Sequence, residues 1–130
     1  MDARVEVVLV FMKHNLGKRL PLSELAELVN LSDSRFRHLF TAETGTSPRL
    51  YLRSLRLDHA KHLLEETWLS IDQIALKVGW QDRSHFERRF KHLYGLTPAR
   101  YRTTQRFTVA VGESQGDSRS GYDLTGAATR

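Results

Sequence analysis

A segment of this chain occurs twice, and the repetition constrains the fold more than any other feature of the sequence. When residues 34–51 are laid over residues 84–101, six of the eighteen pairs are identical, where about one would be expected by chance. A repeat of this kind indicates that one structural unit is built twice. The identical pairs are Ser34 with Ser84, Phe36 with Phe86, Phe40 with Phe90, Gly45 with Gly95, Pro48 with Pro98, and Tyr51 with Tyr101.

The two copies also match upstream of these segments, but there the number of residues between matched positions is smaller by one. The second copy therefore carries one extra residue near Gln81. Each repeat therefore covers a helix, a tight turn, a second helix and the start of a third. The upstream pairs are Leu25 with Ile74, Ala26 with Ala75, and Val29 with Val78.

Residues that start and stop helices lie at the boundaries of both copies. Ser70 and Gln73 have the spacing of a capping box, which predicts a helix over 71–78 and a counterpart in the first copy. Gly79 and Asn30 tolerate a left-handed backbone, so each of these helices can end in a sharp turn. The residues predicted to cap, end or start the later helices are Ser32, Gly45 and Ser47-Pro48 in the first copy, and Asp82, Gly95 and Thr97-Pro98 in the second.

These signals predict an all-α fold of about seven helices, in which two helix-turn-helix subdomains are joined by a long linker helix. Residues 3–15 would also suit a strand, but they are interpreted as a helix because the chain offers no partner strand. The end of the chain is rich in Gly, Ser and Thr and is expected to be flexible. The predicted divisions are a folded region over 1–105, with a first unit at about 5–47, the linker helix at about 48–66 and a second unit at about 70–104, and then a polar tail over 106–130.

Composition excludes several classes of protein. The 130 residues include no cysteine, which rules out disulfides, thiolate zinc clusters and cysteine nucleophiles and is typical of a reducing cytoplasm. The longest apolar run, Val7 to Met12, is far shorter than the roughly 20 residues that span a bilayer. Charged residues at Asp2, Arg4 and Glu6 argue against a signal peptide. We therefore expect a soluble cytoplasmic protein that makes no membrane contact.

The net charge of +5 is concentrated in two basic stretches. Residues 34–56 hold five arginines against one glutamate, and residues 83–102 hold six Lys and Arg against one glutamate. A polyanion such as DNA or RNA would suit both stretches, although a basic solvated surface fits the charge alone equally well.

When residues are placed at 100° intervals around a helix, the helix after each turn is predicted to have one apolar face and one polar, basic face. An α-helix fits the major groove of B-DNA, where Arg can donate two hydrogen bonds to guanine, and Ser, His and Glu can distinguish other base edges. An ordinary solvated face would explain one such helix, but two matched copies favour DNA. The residues predicted to face inward are Phe36, Leu39, Phe40, Phe86, Phe90 and Leu93.

The linker helix carries a geometric argument as well. About eighteen residues at 1.5 Å each make it roughly 27 Å long. Successive major-groove faces on one side of B-DNA are about 34 Å apart, so a rigid spacer of this size could set two helices into adjacent grooves.

Residues 5–104 resemble the DNA-binding domain of the AraC/XylS family of bacterial transcription regulators. The most specific stretch is 78–102, in which Trp80 stands where the family usually has Phe. The resemblance implies a sequence-specific regulator that binds double-stranded DNA with two recognition helices in successive major grooves. Other matching stretches are 22–26, 36–40, 45–48, 56–60 with Leu63-Leu64, and 70–75.

The resemblance also assigns roles to single residues by their positions. Bases would be read by Ser34, Arg37, His38, Arg83, Ser84, Glu87 and Arg88. The DNA backbone would be contacted by Arg35, Arg53, Arg56, Lys91, Arg100 and Arg102.

Most members of this family carry a separate sensor or dimerisation domain, and none fits within this chain. We therefore interpret the chain either as a stand-alone regulator, which would bind DNA as a monomer, or as a fragment of a larger one. A contact with RNA polymerase is compatible with DNA binding. The expected location is the bacterial cytoplasm, at the nucleoid.

Other kinds of site are poorly supported by the sequence, and we predict no enzyme, no cofactor and no metal. His59 and His62 lie three apart on the linker helix but lack a third ligand of suitable spacing. Neither a glycine-rich phosphate loop nor an HExxH motif is found. The alternative function is a helical protein-interaction adaptor, which should expose apolar anchors where the outward faces carry polar and charged residues.

Overall fold

Most of the described helices begin after a residue whose side chain caps their first turn. The computed structural model describes residues 1–114, with side chains as far as Arg106 and at Thr108. Over that range the chain forms seven α-helices and no strand, which confirms the predicted all-α fold. The helices are α1 (Ala3–His14), α2 (Leu22–Leu28), α3 (Asp33–Thr44), α4 (Pro48–Glu66), α5 (Ile71–Lys77), α6 (Arg83–Tyr94) and α7 (Pro98–Ser114).

Side chains cap the helices at the predicted positions. Ser70 and Gln73 form a complete capping box, in which each side chain accepts a hydrogen bond from the other residue's backbone N–H, at 3.1 and 2.8 Å. The Asp82 carboxylate accepts from the N–H groups of Ser84 and His85 at the start of α6. These bonds satisfy donors that the first turn of a helix would otherwise leave unpaired. The remaining predicted N-caps, Ser32, Ser47 and Thr97, accept from the backbone N–H groups of Arg35, Leu50 and Arg100.

Residues with positive φ end the helices inside each unit. Gly45 and Gly95, at 82° and 85°, stop α3 and α6. Asn30 and Gly79, at 57° and 93°, lie in the turns that precede α3 and α6. Four residues separate α2 from α3 and five separate α5 from α6, so the extra residue of the second copy lies in its turn.

Two separate hydrophobic cores correspond to the two copies. The first is built on Phe36 and Phe40 of α3, and Tyr51 packs edge-on against Phe40 with 5.5 Å between ring centroids. The second is built in the same way on Phe86 and Phe90 of α6. All four phenylalanines are essentially inaccessible to solvent. Helices α1–α3 are called the first unit below, and helices α5–α7 are called the second unit.

Helix α4 contributes to both cores. Leu52 is buried in the first core, whereas Leu57, Ala60 and Leu64 are buried in the second. The 19 residues of α4 at 1.5 Å each give a rod about 28 Å long.

One residue predicted to face inward is exposed. Leu93 has half its surface accessible, because the buried stripe of α6 runs through Phe86, Phe90 and Tyr94. Residues four apart advance by about 40° around a helix, so this stripe turns away from Leu93 toward Tyr101, which also contacts Phe90. The assignment of Leu93 to the core was therefore wrong.

The last helix is longer than predicted. Helix α7 continues to Ser114, so residues 106–114 are helical where the sequence analysis placed the start of a polar tail. Neither Gly nor Pro interrupts the chain between Pro98 and Gly112, and Arg102 and Arg106 attach α7 to the end of α4. The rest of the predicted tail, residues 115–130, lies outside the described residues.

The contrast between Phe90 and Leu93 gives a test of the fold. Phe90→Ala should lower the free energy of unfolding by about 3–5 kcal/mol, because it leaves a cavity at the centre of the second core. Leu93→Ala, three residues away on the same helix, should change it by less than about 0.5 kcal/mol. Urea denaturation followed by circular dichroism measures both, and similar losses would contradict the proposed position of the core.

Candidate nucleic-acid interface

The residues predicted to read bases lie on the outward faces of α3 and α6. Ser34, Arg37 and His38 are all exposed on α3. Burial of Phe36 and Phe40 on the opposite side of the helix turns them outward. A surface of this shape and charge can enter the major groove of DNA.

The outward face of α6 differs because two of its charged residues, Arg83 and Glu87, are already paired. Arg83 donates to Asp72 Oδ1 at 3.1 Å and to Glu87 Oε2 at 3.2 Å, and these carboxylates raise the pKa of Arg83. Ser84 and Arg88 are exposed beside this pair, whereas Glu87 is half-buried. Exposed pairs of this kind contribute little to stability, so they can exchange partners when another ligand arrives.

Two arginines on the outward faces remain unengaged. In the part of the chain that the structure describes, neither Arg37 nor Arg88 takes part in an ion pair or a side-chain hydrogen bond with the protein. Both are exposed, and both guanidinium groups are therefore free to donate to a base edge.

Four of the residues predicted to contact phosphates are available for that role. Arg35, Lys91 and Arg100 are exposed, and Arg53 is half-buried on α4. Burial lowers the pKa of Arg53, and the neighbouring charges of Arg89 and Arg49 lower it further. Among the described residues none of these three guanidinium groups forms an ion pair with a carboxylate, and a bound phosphate would relieve the repulsion of Arg53 by its two neighbours.

Arg49 and Arg89 are missing from the predicted set of contact residues. Both belong to the basic stretches, and Arg49 lies one turn before Arg53, so the helical spacing could have indicated it. Arg89 is half-buried and bonds to His85 in its own helix at 3.5 Å. The position of Arg89 near Arg53 depends on how α6 packs against α4, and the spacing of residues along the sequence does not reveal this packing.

A cleft of about 910 Å³ separates the two outward-facing helices. Arg37 of α3, Arg49 and Arg53 of α4, and His85 of α6 line its rim. Leu25, Leu52 and other apolar side chains form its floor. The cations of the linker helix thus lie between the two faces that carry the predicted base readers.

Two of the residues predicted to contact phosphates, Arg56 and Arg102, have guanidinium groups that bond to backbone carbonyls in the structure, and their contact with phosphates stays a prediction. Arg56 donates to the carbonyls of Leu16 and Lys18, at 3.1 and 2.7 Å, and burial lowers its pKa. Arg102 donates through all three guanidinium nitrogens to backbone carbonyls in the last turn of α4 and just after it, at 2.6–3.2 Å. Its acceptors are the carbonyls of Leu64, Thr67 and Leu69.

The end of α4 explains why Arg102 is needed there. The last carbonyls of a helix have no partner within it, and the negative end of the helix dipole attracts a cation. Arg106 adds a bond to Thr67 at 2.5 Å and stacks on the ring of Trp68, 3.5 Å from its centroid. Spacing could not predict these contacts, since the partners are 33–39 residues apart.

Other kinds of site were also sought in the structure. His62 hydrogen-bonds to the Asp58 carbonyl of its own helix at 3.0 Å. Among the residues whose side chains the structure describes, no cluster of three His, Asp or Glu residues could bind a metal ion. Within residues 1–114, no helix is both long enough and apolar enough to cross a membrane.

The structural role of Arg102 can be tested against its neighbour Arg100. Arg102→Ala should lower the free energy of unfolding by about 1–3 kcal/mol, because it leaves carbonyls at the end of α4 without donors. Arg100→Ala removes the same charge from an exposed position and should cost less than about 0.5 kcal/mol. Thermal and urea unfolding of the two variants separates them; equal stabilities would argue against the role of Arg102.

Comparison with known proteins identifies similar chains. A family model described as "Helix-turn-helix domain" matches residues 25–104. The probable transcriptional regulator LumQ of Photobacterium leiognathi is 34% identical over 100 residues, covering 75% of this chain and 40% of that protein. An uncharacterized HTH-type transcriptional regulator of Haemophilus influenzae is 35% identical over 101 residues, covering 78% and 34%. The chain thus spans well under half the length of these curated relatives.

Solved structures with the same fold include two that are informative here. A transcriptional regulator of Chromobacterium violaceum, described as having an AraC-type DNA-binding domain, superposes with a TM-score of 0.75 at 29% identity, covering 79% of this chain and 92% of that one. The DNA-binding domain of AdpA, solved with a target DNA, superposes with a TM-score of 0.78 at 26% identity, covering 81% and 95%.

Proposed function

The chain belongs to the AraC-type family of helix-turn-helix transcription regulators, and we propose that it binds double-stranded DNA with α3 and α6 in successive major grooves. The observation that carries this proposal is the pair of matched helices, each with its phenylalanines buried and its polar, basic face outward. Helix α4 joins them as a rod about 28 Å long, close to the roughly 34 Å between adjacent grooves.

In the proposed complex, the two unengaged arginines make the main base contacts. Arg37 and Arg88 would each donate two hydrogen bonds to O6 and N7 of a guanine. Glu87 would accept from a cytosine amino group. Arg83 would stay near Asp72, where its positive charge offsets the negative charge of that carboxylate at the start of α6. The side chains of Ser34, His38 and Ser84 complete the two reading faces.

The contacts to the DNA backbone would come from the cations around the cleft and at the helix ends. Neutralising phosphates fixes the register of a protein on the duplex without reading sequence. Because Arg49 and Arg53 lie between the two reading faces, they would meet the backbone that separates adjacent major grooves. The proposed set is Arg35, Arg49, Arg53, Arg89, Lys91 and Arg100.

At the level of the cell, we propose that the chain regulates transcription in the bacterial cytoplasm, bound to the nucleoid. Two reading helices within one chain would let a single copy occupy both half-sites as a monomer. A contact with RNA polymerase would add to DNA binding rather than replace it. The bacterial regulators among its relatives support this proposal.

A role as a protein-interaction adaptor has little support from the same two faces. Interface cores are enriched in aromatic residues and depleted of charge. Among the described residues of α3 and α6, Leu93 in the last turn of α6 is the one exposed large apolar side chain. The outward positions of α3 and α6 are otherwise polar or charged.

The salt dependence of binding tests the electrostatic part of the proposal. If the six cations around the cleft and helix ends neutralise six phosphates, log K for duplex DNA should fall by about 5 per unit of log[salt]. Fluorescence anisotropy with a labelled duplex at several salt concentrations measures this slope. A response that is nearly flat would refute the proposed backbone contacts.

Base reading is tested by comparing Arg88 with Arg100. Preferred sites are first selected from a random duplex pool. Arg88→Ala should then cost about 1–3 kcal/mol on the selected site and relax the preference at one position. Arg100→Ala should weaken selected and random duplexes alike and reduce the salt slope by about 1. Equal losses of Arg88→Ala on the two kinds of duplex would contradict a base-reading role.

A further inference from the structure

The two units meet beside the middle of α4, at the side chain of Arg56. This residue lies between the part of α4 that packs into the first core and the part that packs into the second. Leu55 borders the first core and Leu57 is buried in the second. Arg56 is half-buried at the junction.

Arg56 holds the loop between α1 and α2 by two hydrogen bonds. Its Nε donates to the carbonyl of Leu16 at 3.1 Å, and its Nη2 donates to the carbonyl of Lys18 at 2.7 Å. The acceptors are two residues apart, so the planar guanidinium fixes the loop at two points and restricts its rotation.

The second unit touches the same group of atoms from the other side. A Cβ placed on Gly79 would lie 2.4 Å from the carbonyl oxygen of Leu16 and 2.8 Å from Arg56 Nε. A Cβ placed on Gly17 would lie 2.8 Å from the carbonyl oxygen of Lys77. Backbone therefore packs directly on backbone across the boundary between the units, and any larger residue at either glycine would push them apart.

This contact is close to the start of α6. Gly79 is in the turn that leads into α6, which begins four residues later. The two cores are separate clusters, so the angle between the units depends on the stiffness of α4 and on contacts such as this one.

We infer that Arg56 is a positioning residue that locks the first unit onto the turn before α6. This lock fixes the separation and the angle of the two reading helices. It therefore sets the spacing of the half-sites that the protein accepts. This inference rests on the proposed function for its DNA consequence. One base pair more or less between half-sites moves them by about 3.4 Å and rotates them by about 34°, which a rigid pair of helices cannot follow.

A measurement on the protein alone tests the lock without DNA. The chain has no cysteine, so Thr41→Cys and His92→Cys place two spin labels at exposed positions of α3 and α6. Pulsed electron spin resonance should give a narrow distance distribution in the otherwise unchanged protein. Arg56→Lys keeps the charge but cannot donate to both carbonyls in the same geometry, and it should broaden the distribution. Arg53→Ala, three residues earlier on α4, is the matched control and should leave it narrow.

The DNA measurement uses duplexes in which the two selected half-sites are moved closer or further apart by one base pair. The unchanged protein should lose about tenfold or more in affinity for each shift, as for a mismatched base pair. Arg56→Lys should lose only about two- to threefold for the same shifts and should bind duplexes with a single half-site normally. Arg53→Ala should weaken binding at all spacings by the same factor.

The outcomes separate this inference from the proposed function. If the distance distribution of a folded Arg56→Lys variant stays narrow, the lock is refuted whatever the DNA results. If it broadens but the spacing preference stays sharp, Arg56 does not set the spacing and the inference is also refuted. If it broadens and no duplex is bound specifically by any form of the protein, the lock stands and the proposed function fails.

A second variant changes the same contact from the second unit. Gly79→Ala adds a Cβ that would lie too close to the Leu16 carbonyl and to Arg56, and it should reproduce the effects of Arg56→Lys.

Discussion

Burial of two phenylalanines one turn apart in each reading helix is the constraint on which the rest of the structure depends. Phe36 and Phe40 in α3, and Phe86 and Phe90 in α6, leave no accessible surface. Once those positions are inside, the helical period decides which residues are outside. Arg37 and His38 follow Phe36 directly, and Glu87 and Arg88 follow Phe86, so packing of the cores is also what presents the charged faces.

Most of the fold could be predicted from local signals, because helix ends are determined by residues close in sequence. Ser70 with Gln73, and Gly95 after α6, act within one turn of the chain. The roles of Arg56 and Arg102 could not be predicted in this way, since each bonds to carbonyls more than thirty residues distant. Similarly, the exposure of Leu93 depends on Tyr101 of another helix, which draws the buried stripe of α6 away from it.

The same limit applies to the candidate site. Its base-reading faces follow from helical period and burial, and the structure places those residues outward, with Glu87 half-buried. The roles of the arginines could not be predicted in the same way. A count of arginines shows an excess of positive charge, but it does not show which guanidinium groups have backbone carbonyls within reach. Arg56 and Arg102 donate to backbone carbonyls and join helices, whereas Arg49 and Arg89 repel Arg53, and none of these three forms an ion pair among the described residues. A long, flexible cation therefore needs tertiary structure before it can be assigned to a ligand.

The two units share a scaffold but not a reading face. Residues that are identical in the repeat mostly fill the cores or cap helices, whereas those that point outward differ, apart from Ser34 and Ser84. At equivalent places, Asp33 and Arg37 in α3 stand where Arg83 and Glu87 stand in α6, so the order of charges is reversed. Ser23 occupies the place of Asp72, so the first unit cannot form the acidic contact that holds Arg83. In the proposed complex, two faces with different donors and acceptors would need two different half-sites, and a chain that carries both in a fixed order would lie on the duplex in one direction only.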